Sequence, residues 1–183
     1  YLLWLLPDSL LRLGLWVLGS TIYRIRVVGR DNIPGHGAAL FVCNHMSFAD
    51  ALFVTASTER HVRFIMHSDY YNHALVRPVA RLMRAIPIAA ELGPRAMIRA
   101  LREASDAVRS GDVVCIFAEG EITRTGFMLP FRRGFERIMR GVDAPVIPMH
   151  LDRVWGSIFS FEQGRFIWKW PHRIPYPITV SYG

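Results

Sequence analysis

His45 and Asp50, five positions apart, are residue types that could carry out acyl transfer together. Imidazole exchanges protons near neutral pH. A carboxylate held against one ring nitrogen fixes the tautomer, so that the other nitrogen can take the proton of an attacking hydroxyl. The pair follows the apolar run 38–43, which is bounded by Gly37 and reads as a buried strand. His45 then stands just past the C-terminal end of a strand, where open α/β sheets bind ligands. Ser47 or Asn44 is available to cap a following helix, with Asp50 about one turn on and within reach of the imidazole. The spacing leaves a plainer role open, because helix starts favour Asp through the dipole and a lone His is commonly a structural hydrogen-bonding residue.

A second loop has the same setting. The apolar run 113–117 reads as a central strand and leads into Glu119, Gly120, Glu121, Thr123, Arg124 and Gly126. Two polar loops at neighbouring strand ends form one pocket.

The elements that must position these loops can be read in order. Residues 23–28 alternate as a half-exposed strand, and 61–66, 86–88 and 145–151 read as further strands. Helices are expected over 48–57, 69–83, 94–111 and 131–140. In the third, Pro94 stands at the start and Met97, Leu101, Ala104 and Val108 share one face, opposite Arg95, Arg99, Arg102 and Arg109. Strands alternating with helices imply an α/β fold with a largely parallel central sheet covered by helices. Gly164 marks an expected hairpin turn in a tail whose aromatics, including Phe161, Phe166, Trp168 and Trp170, suit either core or a lipid-facing rim.

The chain has 183 residues, enough for one domain with a sizeable core. Hydrophobic residues make up 51%, yet 20% charged residues and 11 prolines argue against a bundle of membrane spans. The net charge of +7 comes almost wholly from arginine, since Lys169 is the only lysine. Such a surface attracts phosphate, on lipid or coenzyme. No nucleic-acid-binding motif accompanies it, so nucleic acid is not expected. Cys43 and Cys115 lie in apolar runs and read as buried free thiols of a reducing compartment.

Residues 1–21 are rich in Leu and Trp and broken by Pro7, Asp8 and Arg12. The longest uncharged stretch is too short for the roughly 20 residues of a spanning helix. It reads either as an interfacial or re-entrant membrane-contacting helix, with Trp4 and Trp16 at the headgroups, or as a core helix packed on the domain. Residues 22–183 then form the catalytic domain. A start at Tyr1 and a stop at Gly183 just after a strand-like run suggest a domain cut from a longer protein.

Asn44, His45, Ser47 and Asp50 resemble the first motif of the glycerolipid acyltransferase family, the lysophosphatidic-acid acyltransferase-like proteins. Phe117, Ala118, Glu119 and Gly120 resemble its Phe-Pro-Glu-Gly block, and Val146, Ile147, Pro148 and Met149 its last, Val-Ile-Pro block. Ala118 replaces the usual proline, Arg124 is displaced two positions from the usual arginine, and Ala89 and Ala90 replace an Asp-Arg pair. Residues 119–126 and 154–161 are similar to a narrower branch, the acyltransferase domains of bacterial fusions with a lysophospholipid transporter and an acyl-carrier-protein synthetase.

The resemblance implies transfer of a fatty acyl group from an acyl-ACP or acyl-CoA thioester to a lysophospholipid, 2-acyl-glycerophosphoethanolamine in that branch. It needs no cofactor and no metal, and it works at the cytoplasmic face of the bacterial inner membrane, peripherally or re-entrantly. Catalysis is implied for His45 and Asp50, and substrate binding for Asn44, Ser47, Glu119, Gly120, Thr123 and Arg124. Lysophosphatidic acid or glycerol 3-phosphate is the alternative acceptor. A metal hydrolase and a non-catalytic lipid-binding module are the rivals from other classes; the remaining histidines lack metal-ligand spacing.

Overall fold

The computed structural model describes residues 13, 14, 17, 21–164 and 173–183. The expected N-terminal membrane-contacting helix therefore lies outside the described residues, but for isolated positions, as do Phe166, Trp168 and Trp170. Among the described residues no helix is long and apolar enough to cross a membrane.

Among the described residues seven strands form one sheet: β1 (Tyr23–Val28), β2 (Ala39–Cys43), β3 (Val62–His67), β4 (Ile86–Ile88), β5 (Val113–Phe117), β6 (Val146–Asp152) and β7 (Tyr176–Tyr182), in the order β1-β7-β6-β2-β5-β3-β4. Strands β2 to β6 run parallel, whereas β7 is antiparallel to β6 and parallel to β1. The largely parallel sheet expected from sequence is present, and five C-terminal strand ends share one edge. Because β2 lies between β5 and β6, the loops after β2 and β5 are neighbours there.

Every residue of β2 is buried, which a strand covered on both faces requires. Phe41 and Cys43 join Phe53 and Val54 of α1 (Asp50–Ser57) and Phe64 on one face. Leu40 and Val42 join Leu101, Ala104 and Val108 of α4 (Pro94–Arg109) and Ile138 of α5 (Gly134–Ile138) on the other. Each of the Phe, Leu, Ile and Val side chains contributes about 1.5–3 kcal/mol on burial. The four arginines expected on the outer face of α4 are exposed.

Three helices differ from expectation. The span 69–83 is two short helices, α2 (Ser68–Asn72) and α3 (Arg77–Leu82), because Pro78 has no N–H for an interior turn and instead sits in the first turn of α3. The span 131–140 contracts to α5, since the Arg132 amide donates to the Ala118 carbonyl (2.8 Å) and draws 131–133 into the preceding loop. The first helix begins at Asp50 rather than at Phe48. Glu162–Gly164 forms a 3-10 turn, and the residues that would follow Gly164 in the expected hairpin lie outside the described residues.

Candidate active site

Asp50 is the first residue of α1, and its buried carboxylate faces back over the turn that precedes it. Oδ2 accepts the backbone N–H groups of Met46 (2.6 Å) and Ser47 (2.9 Å), and Oδ1 accepts the Ser47 hydroxyl (2.6 Å). Nδ1 of His45 lies 2.8 Å from Oδ2. With Nδ1–H donating to the carboxylate, the lone pair is on Nε2, the arrangement of an oriented general base. The imidazole stacks on the Phe117 ring at 4.1 Å between centroids and 11° between planes, which fixes its plane as the carboxylate fixes its rotation. Its side chain keeps about 20% exposure while Asp50 has none.

The two loops are joined through Glu119. Its side chain is buried, with Oε1 accepting the His45 backbone N–H (2.7 Å) and Oε2 that of Leu129 (2.6 Å). A second tie runs from the Thr123 N–H to the His45 carbonyl (3.0 Å), and a third from the Ala118 N–H to the Cys43 carbonyl (2.9 Å). On the opposite side, the Asn44 amide donates to the Leu151 carbonyl (3.0 Å) and its Oδ1 accepts the Leu151 N–H (2.7 Å), locking the end of β2 to β6.

From sequence, Asn44, Ser47, Glu119, Gly120, Thr123 and Arg124 are expected to meet substrate. The structure brings all of them to the same sheet edge as His45 but divides their surroundings. Asn44, Ser47, Glu119 and Thr123 are buried, with side chains bonded to the protein itself; the Thr123 hydroxyl donates to the Phe127 carbonyl (2.7 Å). Gly120 has φ of 75°, and a Cβ there would meet Arg132 Cδ at 2.9 Å, so the close approach that requires glycine comes from Arg132. Arg124 is exposed, its guanidinium carbon 4.3 Å from the centre of the Phe161 ring. His45 and Arg124 are the two whose reactive ends face outward.

Several contacts of this assembly have no signal in the sequence. Arg132 donates to the Glu119 carbonyl (3.0 Å) and pairs with Glu121 (3.1 Å). The segment after β6 returns across the active turn, where Ser47 and Ser160 form an antiparallel bridge and the Phe48 N–H donates to the Phe159 carbonyl (3.3 Å). Phe117 is marked in the sequence as the residue that opens the Glu119 block, but its stacking on the imidazole is not. Farther along the same edge, His67, Asp69 and Glu91 bring possible ligand atoms within 4.8 Å of one another, an arrangement invisible in the sequence; His67 Nε2 is 3.0 Å from Glu91 Oε2.

Comparison with known proteins gives a consistent pattern. The family model described as Acyltransferase matches residues 24–152. A 1-acyl-sn-glycerol-3-phosphate acyltransferase of Limnanthes douglasii is 27% identical over 171 residues, covering 93% of this chain and 56% of that protein. A chloroplastic enzyme of the same description from Brassica napus is 25% identical over 130 residues, covering 70% of this chain and 37% of that protein. The chain thus spans between about a third and just over half the length of these relatives. Among solved structures, the 1-acyl-sn-glycerophosphate acyltransferase of Thermotoga maritima superposes with a TM-score of 0.75 at 21% identity, covering 94% of this chain and 67% of that one, a likeness of fold.

Proposed function

The chain belongs to the acyltransferase family, and from that premise we propose that it moves a fatty acyl group from a thioester donor to the free glycerol hydroxyl of a lysophospholipid, with His45 as general base. The observation that carries this reading is the 2.8 Å bond between His45 Nδ1 and the buried Asp50 carboxylate, which leaves Nε2 as the proton acceptor. Nε2 takes the hydroxyl proton as the glycerol oxygen attacks the thioester carbonyl. The tetrahedral adduct collapses, the carbon–sulfur bond breaks, and the imidazolium returns the proton to the departing sulfur. Asp50 stabilises the imidazolium between these steps. General-base help of this kind is worth roughly 10²–10⁴ in rate, and the remainder comes from holding two substrates together.

Arg124 binds the acceptor's phosphate. Its exposed guanidinium is steadied by Phe161 and offers paired donors that match phosphate oxygens. The buried polar residues Asn44, Ser47, Glu119 and Thr123 serve this chemistry by fixing the backbone on both sides of His45. The donor rides on acyl carrier protein or coenzyme A, either of which suits a net charge of +7, one being acidic and the other polyphosphorylated.

The acceptor proposed is 2-acyl-glycerophosphoethanolamine. Lysophosphatidic acid is the second reading, favoured by relatives described as 1-acyl-sn-glycerol-3-phosphate acyltransferases. A lysophospholipid panel assayed with each donor, with products weighed by mass spectrometry, separates the two. A diacyl phosphatidylethanolamine product supports the first, phosphatidic acid the second, and donor consumption independent of any lysolipid contradicts both.

A further inference from the structure

Between β5 and α5 the chain forms a loop whose backbone is pinned from inside. Thr123 N–H donates to the His45 carbonyl, the Phe127 carbonyl accepts the Thr123 hydroxyl, Leu129 N–H donates to Glu119 Oε2, and Arg132 N–H donates to the Ala118 carbonyl. Gly126 lies flat on Trp155, whose ring atoms would stand 2.8 Å from an added Cβ. Thr123, Glu119 and Ala118 are all buried, so the loop is anchored to the scaffold that holds the base.

On this fixed backbone, Phe127 is 78% exposed, Met128 57% and Phe131 44%. Apolar side chains at a loose loop tip can fold under; these are held outward by the anchors on either side of them. Arg124 and Arg133 are exposed on the same loop, while Arg132 is paired with Glu121 at its start. Clustered exposed apolar side chains mark a contact surface, and with flanking arginines they match the interface of a membrane that carries anionic lipid. An acidic protein would meet the arginines but would leave Phe127 and Met128 without an apolar partner.

We propose that residues 127–133 dock the domain on an anionic bilayer, Phe127 and Met128 entering the headgroup boundary while the exposed Arg133 meets lipid phosphate. Glu119 makes this more than adhesion. One of its oxygens holds the backbone of His45 and the other the backbone of Leu129, so the docking loop and the base keep a fixed separation and the acceptor is met where it lies. The proposal rests on the reading of the acceptor as a bilayer lipid.

Its test places an environment-sensitive fluorophore on Met128→Cys; Cys43 and Cys115 are buried and do not compete for the label. With vesicles of phosphatidylcholine and phosphatidylglycerol the emission shifts to the blue and is quenched by spin-labelled lipid, and high salt weakens the response. Combining Phe127→Ser with Phe131→Ser lowers vesicle partitioning at least about tenfold. The same pair leaves turnover of a short-chain monomeric lysophospholipid unchanged. Emission that no vesicle alters, or that acyl carrier protein alters while vesicles do not, overturns the proposal. Vesicle-dependent emission from a protein that acylates no lysophospholipid upholds the docking and contradicts the function proposed above.

Discussion

His45 Nδ1 lies 2.8 Å from Asp50 Oδ2, and the same oxygen accepts the backbone N–H of Met46 and of Ser47. The turn that carries the imidazole therefore also binds the carboxylate that orients it. The hydrogen bonding that sets the tautomer is a local property of residues 45–50, whereas the plane of the ring and its height above the sheet are set by distant residues, through Phe117, Glu119 and Asn44.

Asp50→Asn preserves shape but turns an amide toward donors. The expected outcome is a fall in kcat of roughly 10³–10⁴ from the wrong tautomer, with a loss of about 1–3 kcal/mol in unfolding free energy. Ser47→Ala removes only one of the donors to that carboxylate, together with the acceptor of the Ala49 N–H, and is expected to keep most activity at a stability cost of about 1.5–3 kcal/mol. Steady-state kinetics beside urea unfolding of both variants checks this.

Glu119→Gln leaves either the His45 or the Leu129 amide facing an N–H₂ group. It is expected to lose about 1–3 kcal/mol of stability and to lower kcat more than it changes the acceptor KM. A variant that folds normally and only raises the acceptor KM would mean that Glu119 touches substrate.

Arg124→Ala is expected to raise the acceptor KM about 10- to 100-fold with kcat nearly unchanged, the pattern of a lost charge-assisted contact to phosphate. Stability should hardly move, because an exposed cation–π contact contributes only about 0.5–1 kcal/mol. An unchanged KM would return Arg124 to the solvated surface.

Burial raises the Cys43 thiol well above its usual range, helped by nearby Cys115, Asp50 and Glu119, and burial raises Cys115 likewise. The protonated thiol is unreactive, so the native protein should resist Ellman's reagent at neutral pH and release both thiols on unfolding in urea. In the unfolded chain these groups ionise first, so their contribution to stability is complete below pH of about 8.5 and declines above it. Tyr23, pushed up to about 12 by burial, adds a loss of the same sign above pH of about 10. From these groups, the unfolding free energy measured between pH 7 and 10.5 should hold to about pH 8.5 and fall above it.

Strands β2 and β5 were legible because each is an apolar run too short for a helix and bounded by polar loops. The pairing of His45 with Asp50 was legible because one turn joins them. What stayed hidden depends on which strands become neighbours. Glu119 reaches the His45 amide across 74 positions only because β5 pairs with β2, and Asn44 reaches Leu151 only because β6 pairs on the other side. Residue type marked Glu119, Thr123 and Asn44 as polar groups near a pocket, but it could not reveal that backbone amides and carbonyls would occupy them. Phe161 under Arg124 was equally unreadable, since nothing local to either residue brings them together.

The central claim is that His45 Nε2 removes the hydroxyl proton. The most direct measurement is thioester consumption by purified, folded His45→Ala protein in the presence of lysophospholipid, compared with the parent chain. The expected result is a loss of at least about 10²–10⁴ in kcat with lysolipid binding retained. Turnover close to that of the parent would contradict the account.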